Sequence, residues 1–129
     1  MNVNEVQKYL KETYGEDIVA DFGDGIFHRN LGEYSPKSFT EITDEKGYSW
    51  DIGSGVEDDR YSFIIVDGYG DEGDGVSFWG VAKITDKQTN EEIFVKVEGY
   101  YASYVGAECD DPTDWREVKP VTETRIVYK

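Results

Sequence analysis

The sequence predicts an α+β domain, with one N-terminal helix packed on a curved, mainly antiparallel sheet of about six or seven strands. Three observations carry this expectation. Apolar residues keep a clear helical spacing only at the N-terminus. The rest of the chain carries aromatic and β-branched residues in blocks of strand length. Turn-forming Gly and Asp residues separate those blocks. The 129 residues fit one domain spanning 1–129, long enough to bury a core without disulfide staples.

The helix is expected from about residue 3 to residue 14. Val3, Val6, Leu10 and Tyr14 form one stripe, and Glu5, Lys8, Lys11 and Glu12 fall among the solvated positions. Asn2 followed by Glu5 resembles a capping box, and Gly15 stands where a helix C′ residue belongs. Ile18–Phe22 and Ile26–Asn30 read as short strands separated by a Gly23-Asp24-Gly25 turn. Ser38–Thr43 and Tyr48–Ile52 read as a hairpin around Asp44-Glu45-Lys46-Gly47. Tyr61–Val66 reads as a central strand because its second half is apolar on both faces. A Gly-rich loop, Asp67–Gly75, follows it. Val76–Thr85 and Glu92–Tyr104 make the strongest hairpin, joined by Asp86–Glu91, with Gly99 marking a bulge or a close backbone approach. Ala107–Arg116 reads as a loop with a turn at Asp111-Pro112, and Val121–Tyr128 as a terminal strand.

Charge is distributed unevenly over this scaffold. The chain has 28 acidic and 13 basic residues, a net charge of −15. Sixteen of the acids lie in three windows. Glu16–Asp24 has four acids and no base, Glu57–Asp74 seven acids and one base, and Glu108–Glu117 five acids and one base. Everything outside them is nearly neutral, with 12 acids and 11 bases. A charge of about 2–8 already keeps a small domain soluble, so −15 is more than solubility requires. The mean hydropathy is −0.63. Aromatic content of 15% nevertheless sets the chain apart from disordered acidic sequences, which are poor in rings.

Several function classes lose support. Gly68-Tyr69-Gly70-Asp71-Glu72-Gly73 matches G-x-G-x-x-G, but Val76-Ser77-Phe78-Trp79 reads as strand where a phosphate-binding helix should begin. Asp71 and Glu72 would also repel phosphate. Asp67, Asp71 and Asp74 are hard oxygen ligands that leave a weak divalent-cation site as an alternative, yet the EF-hand spacing is absent, so a solvated acidic turn is the favoured reading and no metal or cofactor is expected. His28 is the only histidine, and no nucleophile motif surrounds it. With 28 acids, some carboxylate pair will lie at any chosen separation, so glycosidase-type chemistry is not indicated. Cys109 is the only cysteine, which excludes an internal disulfide and suits a reducing cytosol. Its acidic neighbours Glu108, Asp110 and Asp111 make it a poor nucleophile. No secretory or transmembrane segment is recognisable, so a cytoplasmic location is expected. Acidic membranes and nucleic acid would repel the chain directly.

Tyr61, Phe63, Phe78, Trp79, Phe94, Tyr100, Tyr101 and Tyr104 sit in expected strands, where rings pack against cross-strand neighbours. Trp50, Tyr69 and Trp115 stand in or near acidic turns, the setting of a binding hot spot. The leading expectation is a non-enzymatic acidic protein that inhibits or masks a basic, nucleic-acid-binding partner protein. Anti-restriction, anti-CRISPR and toxin-immunity proteins work in this way, as DNA mimics or as masks. Carboxylates two residues apart on a strand face lie about 6.6–6.8 Å apart, a repeat suited to imitating a phosphate backbone. The expected partner-binding residues are Glu57, Asp58, Asp59, Tyr69, Asp71, Glu72, Asp74, Asp110, Asp111, Asp114 and Trp115. The alternative is a small β-rich ligand-binding or virion-type structural domain whose acidic surface only solubilises it. A carboxylate-only enzyme is a third class.

Overall fold

The structure, a computed structural model, describes residues 1–31, 40–42, 52–53, 55–70, 77–102 and 106–121. Helix α1 covers Val3–Tyr14, as its caps predict. The Asn2 side chain accepts from the Glu5 backbone N–H at 2.9 Å. Gly15, at φ 105°, turns the chain away and donates back to the Lys11 carbonyl. Val6 and Leu10 are buried.

Helix α2, Ile18–Phe27, replaces the two short strands expected at Ile18–Phe22 and Ile26–Asn30. Read at helical period, Ile18, Val19, Phe22, Ile26 and Phe27 share one buried face. The glycines inside the helix are contact points, not a turn. A Cβ at Gly23 would collide with the Pro112 carbonyl, and one at Gly25 would press on Leu31. After His28 the chain leaves the helix through Arg29 at φ 59°, and the Asn30 N–H reaches back to the Gly25 carbonyl at 2.8 Å.

Among the described residues, seven strands form one curved antiparallel sheet. They are β1 (Thr40–Ile42), β2 (Gly55–Glu57), β3 (Tyr61–Tyr69), β4 (Ser77–Asp86), β5 (Glu92–Ala102), β6 (Gly106–Cys109) and β7 (Arg116–Val118). The order runs β1-β2-β3-β4-β5-β6, and β7 pairs with the other end of β5. The β4–β5 hairpin is the longest ladder, and its Ser77↔Tyr100 to Thr85↔Glu92 pairing is continuous, so Gly99 carries no bulge. It is instead a close approach, where a Cβ would meet the Glu108 carbonyl and the Phe27 ring.

Three further expectations change, and a fourth lies outside the described residues. The strand at Tyr61 runs on through Asp67, Gly68 and Tyr69, past a register shift between Ile65 and Asp67. That bulge leaves Val66 exposed, so the strand is not buried on both faces there. β1 pairs with β2, a three-residue strand too short to stand out in sequence, and Ile52–Gly53 is a turn. The expected Tyr48–Ile52 arm otherwise lies outside the described residues. Part of the expected Ala107–Arg116 loop is strand, because β6 and β7 share the free edge of β5. The expected Val121–Tyr128 strand lies outside the described residues beyond Val121.

One sheet face carries the core. Tyr61, Phe63, Ile65, Phe78, Ala82, Ile84, Val95 and Val97 point towards the helices and are buried. Phe63 stacks on Phe22 at 4.8 Å, and Phe27 packs on Phe78 at 5.0 Å. At Gly80 the absence of a side chain lets the Ile26 carbonyl of α2 touch the sheet. This contact seats α2 low on β4 and turns its other face outward.

Candidate acidic binding surface

The outward face of α2 is an acidic stripe. Asp17, Asp21 and Asp24 follow at spacings of four and three residues, which places their Cβ atoms about 5–6 Å apart. Asp17 and Asp21 are exposed and Asp24 is half-buried. These residues belong to the first acidic window, but the reading of Gly23-Asp24-Gly25 as a turn hid their common face. The repeat Asp17, Asp21, Asp24, His28 was the signal that could have revealed it.

The β6–β7 loop lies against this helix. It is held from three sides. Pro112 fills the space above Gly23, the Gln7 amide donates to the Thr113 carbonyl at 2.9 Å, and the Asp110 N–H donates to the Glu98 carbonyl at 3.0 Å. Asp111 shapes the loop by accepting from the Thr113 N–H at 2.9 Å and the Thr113 hydroxyl at 2.7 Å. These bonds hold its carboxyl below the usual carboxylate range. Asp110, Asp111 and Asp114 are all exposed.

Cys109 shows that the two segments share one field. Burial first, then the Asp24 charge and more weakly that of Asp110, push its thiol up to about 12, against a hydrogen bond from the Asp111 backbone that lowers it. The Cys109 thiol is therefore protonated at neutral pH and is no nucleophile. Asp24 is itself raised, chiefly by burial and further by Asp21, with His28 opposing. The α2 end of the first acidic window thus adjoins the β6–β7 loop part of the third, with Asp24 beside Cys109 and Gly23 against Pro112. Ion pairs among the described residues engage Glu5, Glu12, Glu57, Asp86, Glu91, Glu92 and Glu98. None of these pairs reaches Asp17, Asp21, Asp24, Asp110, Asp111 or Asp114. Where the loop meets β5, Arg116 pairs with Glu98 at 3.0 Å and closes the surface on that side.

The second window does not join this surface as a unit. Its two described parts lie at opposite ends of β3, separated by about 20 Å of extended strand between Tyr61 and Asp67. Glu57, Asp58 and Asp59 border a polar cleft of about 390 Å³ with Tyr9, Thr13, Tyr14 and Lys87. Glu57 pairs with Lys87 at 3.1 Å, and Asp59 is exposed. Asp58 has a structural task. It accepts from the Tyr9 and Tyr14 hydroxyls at 2.6 and 2.7 Å and from the Arg60 and Tyr61 N–H groups at 2.8 and 2.7 Å. Burial alone would raise its pKa, but these four donors together bring it below the ordinary value. Burial first, and then this same contact with Asp58, push the Tyr9 hydroxyl up to about 12. Asp58→Ala leaves four donors without their acceptor and unfastens α1 from the β2–β3 turn. It is expected to cost about 2 kcal/mol, read by denaturant unfolding.

Two of the expected aromatics separate. Tyr69 is 57% exposed and stacks on Trp79, whose ring also receives the Lys96 ammonium at 4.3 Å. Trp115, expected on the binding surface, is instead buried at 4% exposure. Its indole N–H donates to the Pro112 carbonyl at 2.9 Å, and its ring meets Phe63 edge-on at 6.3 Å. It offers no ring to a partner, because the hydrophobic face of the sheet beneath the loop needs covering. Trp50, Asp71, Glu72 and Asp74 lie outside the described residues. The repeat expected of strand carboxylates is supplied here by a helix.

Among the described residues no group of three His, Cys, Asp or Glu side chains could hold a metal ion. No described helix is long and apolar enough to cross a membrane. No protein-family model, curated protein or solved structure matches this chain.

The carboxylates set a signed dependence on pH. Asp24 has a raised folded-state pKa, so the native state takes up its proton more readily than the unfolded chain, and stability grows as pH falls towards that pKa. Asp58, Asp86 and Asp111 are lowered, Asp86 mainly by its bond from Arg60. Their contribution is present above the unfolded value of about 3.9 and is lost as pH falls through their lower folded values. Thermal unfolding is expected to hold or rise slightly on mild acidification and then collapse below about pH 4. Asp24→Asn should abolish the rise. A steady loss of melting temperature from neutral pH downward would contradict this assignment.

Proposed function

We propose that this protein is a non-enzymatic acidic binding protein that docks on a basic, nucleic-acid-binding partner and masks it. The observation that carries the reading is the adjoining of Asp17 at the N-cap of α2 and Asp21 and Asp24 within it to Asp110, Asp111 and Asp114 of the β6–β7 loop. These carboxylates come from distant parts of the sequence, and none of the six is itself in an ion pair among the described residues, although Lys96 and Arg116 share a cleft with Asp110, Asp111 and Asp114. Juxtaposed like charges cost stability, so their retention on one face favours a role for the field they generate. Such a field speeds encounter with a cationic surface and disfavours anionic competitors. A helix repeating carboxylates at every turn presents to a cationic groove the kind of regular anion series that a nucleic-acid strand does. The reading places the protein in the cytosol, where Cys109 stays reduced.

The test is affinity capture of partners on immobilised wild-type protein and on an Asp21→Lys/Asp110→Lys variant, at low and high salt. Binding kinetics and competition by duplex DNA are then measured for the captured partner. The expected partner is basic, competes with DNA, and associates at least about ten times more slowly with the variant at low salt. The difference should shrink near 1 M salt, where the Debye length is about 3 Å. Association that ignores both salt and charge reversal would sink the proposal.

A further inference from the structure

The acidic loop has cations of its own at its edge. Arg116, the single base of the third acidic window, opens β7, and Lys96 stands directly opposite it on β5. Residues paired in this way share a face of the sheet with Cβ atoms about 4.5–5.5 Å apart, and like charges so placed repel. Both cations line a cleft of about 50 Å³ together with Glu98, Asp110, Asp111 and Asp114. They are held differently. The Lys96 ammonium lies over the Trp79 ring at 4.3 Å, a cation–π contact. The Arg116 guanidinium turns to Glu98, with Nη1 3.0 Å from Oε1. That contact is one of charge and not of direction. Glu98 Oε1 is shielded from solvent yet receives no aligned hydrogen bond among the described residues. The Arg116 side chain is 64% exposed. An exposed ion pair adds little to stability, so opening this one costs the fold little.

We propose that Arg116 is an autoinhibitory counter-ion of the acidic surface. Its guanidinium occupies, beside Asp110, Asp111 and Asp114, the place that a cationic side chain of the basic partner takes on docking. The inference rests on the docking reading above and deepens it by naming one seat and its occupant. Four carboxylates line the cleft against two cations, so it stays net negative with Arg116 in place. An incoming cation is attracted by the carboxylates and repelled by Arg116. The repulsion is relieved when Arg116 swings its exposed head into solvent on its flexible stem, while Lys96 remains over Trp79. The contact with Glu98 has no directional bond to lose, so one cation can replace another there. A repulsive group at the seat of binding sharpens discrimination. A dense basic surface displaces Arg116, whereas a sparsely charged one does not.

The test is binding of a labelled oligoarginine peptide to the full chain, followed by fluorescence anisotropy at low and high salt. Wild type is compared with Arg116→Gln, Arg116→Lys and Lys11→Gln. Lys11 is exposed on α1 and is not among the walls of the cleft, so its loss makes the same change in net charge elsewhere. Arg116→Gln is expected to bind about fivefold more tightly at low salt, the size of one unit-charge contact in water. The gain should vanish at high salt. Lys11→Gln should gain less than half as much, and Arg116→Lys, which keeps the charge, should stay near wild type. Arg116→Gln binding no more tightly than wild type overturns the inference, as does an equal gain from Lys11→Gln or from Arg116→Lys. The docking reading survives those results as long as Asp21→Lys/Asp110→Lys still loses the peptide. If neither wild type nor Arg116→Gln binds the peptide at low salt, the docking reading falls and this inference falls with it. A merely structural ion pair would instead give Arg116→Gln a lower melting temperature with no gain in binding.

Discussion

Replacing Trp115 with alanine is expected to destabilise the protein by about 3–5 kcal/mol, the range for truncating a buried large aromatic. The ring is 4% exposed, covers Phe63 and ties the loop to itself through the Pro112 carbonyl. A typical domain is stable by only about 5–15 kcal/mol, so this is a large share of the total. For a chain of this size the melting temperature should fall by about 10–20 °C. Trp115→Phe, which keeps a ring but loses the indole N–H, should cost less than half as much. The measurement separates two roles that look identical in sequence. A tryptophan exposed in an acidic rim would lose partner binding with an unchanged melting temperature. The buried one loses stability first, and binding only because Asp110, Asp111 and Asp114 lose their footing.

Gly23→Ala carries the second large effect, and its sign is diagnostic. In a solvated helix, alanine is favoured over glycine by about 1 kcal/mol. Here the new methyl group would run into the Pro112 carbonyl, a backbone atom that no rotamer change can move aside. Overpacking of this kind costs about 1–3 kcal/mol, and a rigid obstacle puts it near the upper end. The net expectation is a loss of about 2 kcal/mol on chemical denaturation. The β6–β7 loop should also lift from α2, which the fluorescence of Trp115 would report. A gain in stability would show that the loop does not rest on the helix, and the joined acidic surface would go with it.

Much of the fold was legible because its signals are local. Asn2, Glu5 and Gly15 bracket α1 through bonds within a few residues, so its ends at Val3 and Tyr14 follow from the chain alone. The β4–β5 hairpin is legible for the same reason. Two long apolar-rich runs joined by Asp86–Glu91 have few other ways to pair. The acidic windows are countable in the sequence. What each one faces is not.

An α+β domain with an N-terminal helix, a long antiparallel hairpin and concentrated negative charge follows from signals a few residues apart. The other features depend on contacts between distant residues. Gly23 and Gly25 resemble turn residues until Pro112 and Leu31 occupy the space their missing side chains leave. β2, β6 and β7 are three or four residues long and exist as strands through their neighbours β3 and β5. Trp115 is buried because its loop crosses the core face of the sheet, and local polarity carries no information about that crossing. Asp24 lies beside Asp110 and Asp111 because α2 and the loop pack together, while Asp58 is drawn from the rim by two tyrosines of α1. A carboxylate's charge is a property of its residue type, but whether it presents that charge to a partner or spends it on its own fold depends on which side chains the fold brings within hydrogen-bonding reach.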